Sequence, residues 1–153
     1  MRTIKFRGKS IGTGEWLFGN LFKFGIQPPA NIPCICVCVP TWKDALDIYT
    51  VHDNTIGQFT GLLDRNGKEI YEGDIVLWIR KKVHIEGRPL QDFSDVCKIY
   101  YDEKKCAFYF RYEMDCGACC GVLDFNDDRA EISYIEVIGN IYDNPELLKG
   151  GSR

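Results

Sequence analysis

The chain is expected to be mainly β, folded as a small antiparallel barrel or sandwich with very little helix. Three features lead there. Aromatic residues make up 13% of the 153 residues, as nine Phe, eight Tyr and three Trp, and flat side chains pack across neighbouring strands. Turn residues recur about every 8–12 positions, the spacing of short strands joined by tight reversals. Apolar and polar residues also alternate. The best run sets Cys106, Phe108, Phe110 and Tyr112 against Ala107, Tyr109, Arg111 and Glu113.

The elements follow in order. Ile4 and Phe6 alternate with Lys5 and Arg7, a short first strand. Ser10 to Gly14 is a turn whose two glycines supply positive φ. Glu15 to Phe22 is a second strand, with Gly19 a bulge or close-packing point. Residues 27–33 hold three prolines; the missing N–H donors make this a loop. Cys34 to Val39 is apolar on both faces, so it is buried on both or paired between subunits. Pro40 ends it, and Thr41 to Asp47 forms one or two helical turns capped by Thr41.

Ile48 to His52 and Ile56 to Leu63 are strands. Asp64-Arg65-Asn66-Gly67 is a tight hairpin turn, because Asn and Gly both tolerate φ above zero. Lys68 to Tyr71 follows, then a turn at Glu72-Gly73-Asp74 and the buried strand Ile75 to Ile79. The polar stretch Arg80 to Asp95, with Gly87 and Pro89, is a long hairpin loop or extension. The remaining strands are Val96 to Tyr101, the alternating run from Cys106, Gly121 to Phe125, and Ile132 to Ile138. Turns join them at 102–105, 115–118 and 126–128. Asn144-Pro145 starts a helix, with Asn at the cap and Pro at the first position. The sum is about ten short strands.

The length suits one domain, and such a chain buries roughly 70% of its unfolded surface without metal or disulfide staples. The net charge of −3 gives no general reason to expect nucleic acid. The distribution is uneven: residues 1–30 hold five cations against Glu15, and residues 102–136 hold nine acids against four cations. Solvated faces with cross-strand pairing account for this; subunits joined basic end to acidic end would also use it. The opening MRTIKFRGKS has no apolar run of the signal-peptide kind. The longest uncharged stretch, Phe24 to Trp42, contains four prolines and does not read as a membrane span. A cytoplasmic protein is expected, with no membrane partner and with its eight Cys reduced.

Three blocks carry a family resemblance. They are Lys5-Phe6-Arg7-Gly8-Lys9 with Thr13-Gly14-Glu15-Trp16 and Phe18-Gly19; Ile56 to Leu62 with Asp64 to Val76; and Val137-Ile138-Gly139-Asn140-Ile141-Tyr142-Asp143-Asn144-Pro145-Glu146-Leu147. Together they resemble the YopX family of phage and prophage proteins. The resemblance implies a phage or prophage origin, a largely β fold, possible oligomers and no assigned activity. It frames residues 1–149 as one domain, with an N-terminal hairpin part at 1–55, a barrel part at 56–149 and a tail at 150–153. The lead-in Glu72-Gly73-Asp74-Ile75-Val76 also looks like that of SH3-like barrels, a likeness of fold alone.

Candidate chemistry is sparse. Cys116-Gly117-Ala118-Cys119 is a C-x2-C knuckle, and Cys34, Cys36 and Cys38 lie on one face of a strand. Cys36, Cys38, Cys116 and Cys119 would make a tetrahedral zinc site, although a structural site usually shows two knuckles and free Cys is a common core residue. A cysteine nucleophile needs a base, and only His52 and His84 exist, neither in a recognisable setting. No P-loop, G-x-G-x-x-G or zincin pattern occurs. Basic residues near aromatics could follow a nucleic-acid strand: Arg2, Lys5, Arg7 and Lys9 interleave with Phe6, and Arg80, Lys81 and Lys82 follow Trp78. Lys5, Arg7, Lys9, Trp16, Arg80, Lys81 and Lys82 are the candidate binding residues for a partner or nucleic acid. The plainer reading is edge-strand protection by Lys and Arg. The sequence therefore points to a non-enzymatic phage accessory or regulatory protein without a cofactor. It would act by binding itself or a host or phage protein. A nucleic-acid-binding barrel and a zinc-containing module are the alternatives.

Overall fold

A computed structural model describes residues 3–24, 32–37, 47–114, 117–122 and 128–149. Eleven strands appear among them: β1 (Phe6–Lys9), β2 (Trp16–Phe24), β3 (Ile32–Val37), β4 (Asp47–Thr50), β5 (Gly57–Leu63), β6 (Glu69–Tyr71), β7 (Asp74–Val83), β8 (Gln91–Asp102), β9 (Ala107–Met114), β10 (Gly117–Val122) and β11 (Ala130–Asn140). Two short 3-10 turns, Asp53–Thr55 and Pro145–Lys149, are the helical pieces. All recorded pairings are antiparallel, so the mainly β expectation holds. The strands form a six-stranded sheet ordered β4-β3-β2-β1-β5-β6 and a five-stranded sheet ordered β10-β9-β8-β7-β11. The chain divides into two compact units, Met1–Gly61 and Leu62–Arg153.

In the first unit the sheet rolls up. β1 pairs with β2, β2 with β3 and β3 with β4. The chain beyond β4 then returns to β1: Ser10 bridges Val51, Ile11 N–H donates to Thr50 (3.0 Å) and His52 N–H donates to Lys9 (2.9 Å). Curvature this tight needs small residues. A Cβ on Gly19 would sit 2.0 Å from the Cys36 carbonyl oxygen, and one on Gly8 would press on Val51 and Ile35 at 3.1 and 3.3 Å. Gly19 is thus the close-packing point that its place in an apolar strand suggests. β3 is buried on both faces, Ile35 on one and Cys34 and Cys36 on the other, as its unbroken apolar run requires. The expected helical turns at 41–47 fall largely outside the described residues; Asp47 opens β4.

The second unit is built on β7 and β8. Val76 and Trp78 of β7, Cys97 and Ile99 of β8, Phe110 of β9, Ile135 of β11 and Ile70 of β6 form one buried cluster. Trp78 meets Phe110 edge-on at 5.1 Å between ring centroids, and its indole N–H donates to Ser133 Oγ (3.0 Å).

Of the two readings of residues 80–95, loop or extension, the extension holds: β7 runs to Val83 and β8 begins at Gln91. The polar run forms strand because its inward side chains include Arg80 and Asp95, which are buried as an ion pair. Two expectations change here. Cys106 does not join the strand pattern of Phe108 and Phe110; it is exposed at φ +52 in the preceding turn. The expected turn at 115–118 gives way at Gly117 and Ala118, which already pair with Met114 and Glu113 in β10.

Candidate functional site

In the first unit, β1 and β2 bring the expected basic and aromatic residues together. The register sets Arg7 opposite Phe18 and Lys9 opposite Trp16, so Lys5, Arg7, Lys9, Trp16 and Phe18 share one face. The cations then lie over rings on the neighbouring strand. Arg7 Cζ is 4.7 Å from the Trp16 ring centroid, Lys9 Nζ is 5.7 Å from the same ring, and Lys5 Nζ is 5.7 Å from that of Phe18. Arg7 is buried and Lys5 and Lys9 are half-buried. A guanidinium held against an indole is partly desolvated and oriented.

The same face continues across β2 to β4. Phe18, Asn20 and Phe22 alternate along β2, Asn20 pairs with Cys36, and Cys36 pairs with Ile48. Phe18, Phe22 and Ile48 are 42%, 38% and 44% exposed. Sequence reading found the cations and Trp16 here but not Phe22 and Ile48. Their exposure depends on strand pairing, which local alternation does not specify.

Arg80, Lys81 and Lys82 lie in the second unit, at the end of β7. Arg80 is buried, paired with Asp95, and stacked over Trp78 (4.1 Å) and Phe93 (5.3 Å). Lys81 is exposed. Lys82 sits at a register irregularity with φ +52. Its ammonium bonds Glu131 at 2.9 Å, which holds the lysine above its ordinary pKa. Of the cysteines proposed for zinc, Cys36 is on β3 and Cys119 is on β10, opposite Tyr112. Cys38 and Cys116 lie outside the described residues. Among the described residues there is no cluster of three metal-ligating side chains. Cys97, a core residue, is pushed up to about 12 by burial and by neighbouring Asp95, against the influence of Arg80, so it stays a neutral thiol.

Asp64 and Asp74 are buried carboxylates that organise backbone. Asp64 Oδ1 accepts the amides of Asn66 (2.8 Å) and Lys68 (2.9 Å), and Oδ2 accepts the amide of Val137 on β11 (3.1 Å). Burial alone would raise this carboxyl, but those amides and the Lys68 charge outweigh it and hold it below the ordinary aspartate value. The turn closes from Gly67 N–H to Asp64 C=O (3.0 Å), with Gly67 at φ +80. Asn66 stays at negative φ, because the Asp64 carboxylate fixes the turn by taking its amide. Asp74 Oδ2 accepts the Tyr71 amide (2.8 Å).

This arrangement defines an antiparallel β protein in which Lys5, Arg7, Lys9 and Arg80 stack on rings and Asp64 and Asp74 fix turns. The sequence profile described as YopX protein matches residues 5–149. The chain belongs to the YopX family. It is similar to the crystal structure of protein EF1440 from Enterococcus faecalis, at 23% identity, over 97% of this chain and 99% of that one, with a TM-score of 0.51. That likeness bears on the fold. No curated protein matches the chain. Among the described residues, no helix is long and apolar enough to cross a membrane.

Proposed function

We propose that this YopX-family chain is a phage- or prophage-encoded accessory or regulatory protein with no catalytic role of its own. It acts in the cytoplasm of a bacterial host by binding a second copy of itself or another protein. One observation carries the reading: Phe18, Phe22 and Ile48 lie on a single sheet face and remain about 40% exposed, beside the cations of β1. Large apolar side chains gathered on one face with a polar border mark an interaction surface.

Size-exclusion chromatography with light scattering tests self-assembly. The expected result is a dimer or larger species that Phe18→Glu with Phe22→Glu converts to monomer. A wild-type chain that stays monomeric at high concentration overturns self-assembly. The nucleic-acid alternative draws on Lys5 and Lys9 beside Trp16 and Phe18, but Arg7 and Arg80 are buried in stacks. Retention of an oligonucleotide on a filter at low salt, lost when Lys5 and Lys9 are replaced, would favour it.

A further inference from the structure

On the second sheet, Lys98 of β8 and Arg111 of β9 stand directly opposite one another, on the face away from the Cys97–Ile99–Phe110 core. Like charges so placed destabilise a strand pair, and a nearby acid normally offsets the repulsion. Arg65, Arg80, Lys82 and Lys105 each pair with a carboxylate. Among the described residues, neither Lys98 nor Arg111 makes an ion pair or a side-chain hydrogen bond. Arg111 is exposed and Lys98 half-buried. Beside Lys98 on β7 is the fully buried Ile75. The next rung on that face is Tyr100 opposite Tyr109, with ring centroids 6.0 Å apart. The two cations therefore rise from an apolar and aromatic floor, where an added negative group is attracted more strongly than in open water.

We propose that the Lys98–Arg111 rung binds a carboxylate of a short acidic segment on a partner protein. The arginine fork takes both oxygens of one carboxylate, and the lysine ammonium adds a second contact or engages the next acid along. Nucleic acid suits the rung less well. A phosphate backbone needs a track of cations; among the described residues the rung offers one pair, and Lys105, over the Tyr109 ring at 4.5 Å, is tied to Asp102, in a chain of net charge −3. A short acidic segment engages the pair locally, because salt screens charges beyond about 8 Å. The inference rests on the binding role proposed above and gives that role a second surface and a partner chemistry.

The test is fluorescence anisotropy at low salt, with the full chain and fluorescein-labelled hexaglutamate, beside a labelled thymidine oligonucleotide of matched charge. The wild-type chain binds hexaglutamate more tightly than the oligonucleotide. Affinity falls at least about tenfold in Lys98→Gln/Arg111→Gln and is unchanged in Lys23→Gln. The unliganded double variant melts at or above the wild-type temperature, since a repulsion has been removed. Absence of hexaglutamate binding, equal affinity in the double variant, or tighter oligonucleotide binding overturns the proposal. A lower melting temperature also overturns it, by marking the pair as structural. Light scattering separates the two readings: oligomers that form normally while hexaglutamate fails to bind sink the rung alone.

Discussion

Asp64 shows how much one side chain can hold in place. Its two oxygens join the Asp64–Gly67 turn to β11 through three amides, and the neighbouring Arg65 N–H donates to Ile135 (3.1 Å) on the same strand. Hydrogen bonds to a charged acceptor contribute roughly 1.5–3 kcal/mol each when the partner is deleted, and not additively. Asp64→Asn is therefore expected to lose about 2–3 kcal/mol of stability in urea unfolding. The folded chain holds this carboxyl below its ordinary value. Its contribution is thus complete above the ordinary aspartate range and fades as pH falls through the folded value. Wild type and Asp64→Asn should converge in stability on acidification; a gap unchanged at low pH would contradict this account. The turn itself was legible in the Asn-Gly pair. The reach of Asp64 to Val137 was not, because nothing local records a contact between residues so far apart in sequence.

At the scale of elements, two contacts decide whether strands can pack. β2 passes β3 with no room for a side chain at Gly19. Gly19→Ala drives a methyl into backbone, which cannot rotate aside, and should cost about 1–3 kcal/mol or more, read as a lower urea midpoint. Near the end of β7, Arg80 and Asp95 are buried together against Trp78 and Phe93. Removing one partner strands a charge at a cost of about 3–5 kcal/mol, whereas replacing both with apolar groups of similar size is often tolerated. Asp95→Leu should unfold far more readily than Arg80→Met/Asp95→Leu, and equal losses would argue against a mutually dependent pair. Here the sequence left loop and extension both open: a polar run fits either until each charge is seen to face its counterpart on the adjacent strand. The Lys98–Arg111 rung was hidden for the same reason, since it exists only once the β8–β9 register is known.

At the scale of the whole molecule, fold class, strand number and most turns were readable, because alternation and glycine-bearing reversals are local signals. The split into two sheets and the rolling of the first were not, since both depend on which distant strands meet. The five-stranded sheet suggests a gradient of local stability. β7 and β8 each have strands on both sides, while β10 pairs only with β9 among the described residues. Hydrogen exchange followed by mass spectrometry should find the amides of β10 exchanging fastest in this sheet and those of β7 and β8 slowest; uniform protection would contradict the topology.

The seal between Lys9–Ile11 and Thr50–His52 has a further consequence. Neighbouring chains that recruit one another through open backbone find little purchase where a sheet ends upon itself. On β11, the Asp64–Arg65 corner already occupies the amide of Val137 and the carbonyl of Ile135. Among the described residues, fibrillar stacking, or capture of a foreign peptide as an extra strand, would therefore begin more readily along the small, apolar Gly117–Val122 margin than along the Lys9–Ile11 and Thr50–His52 seam.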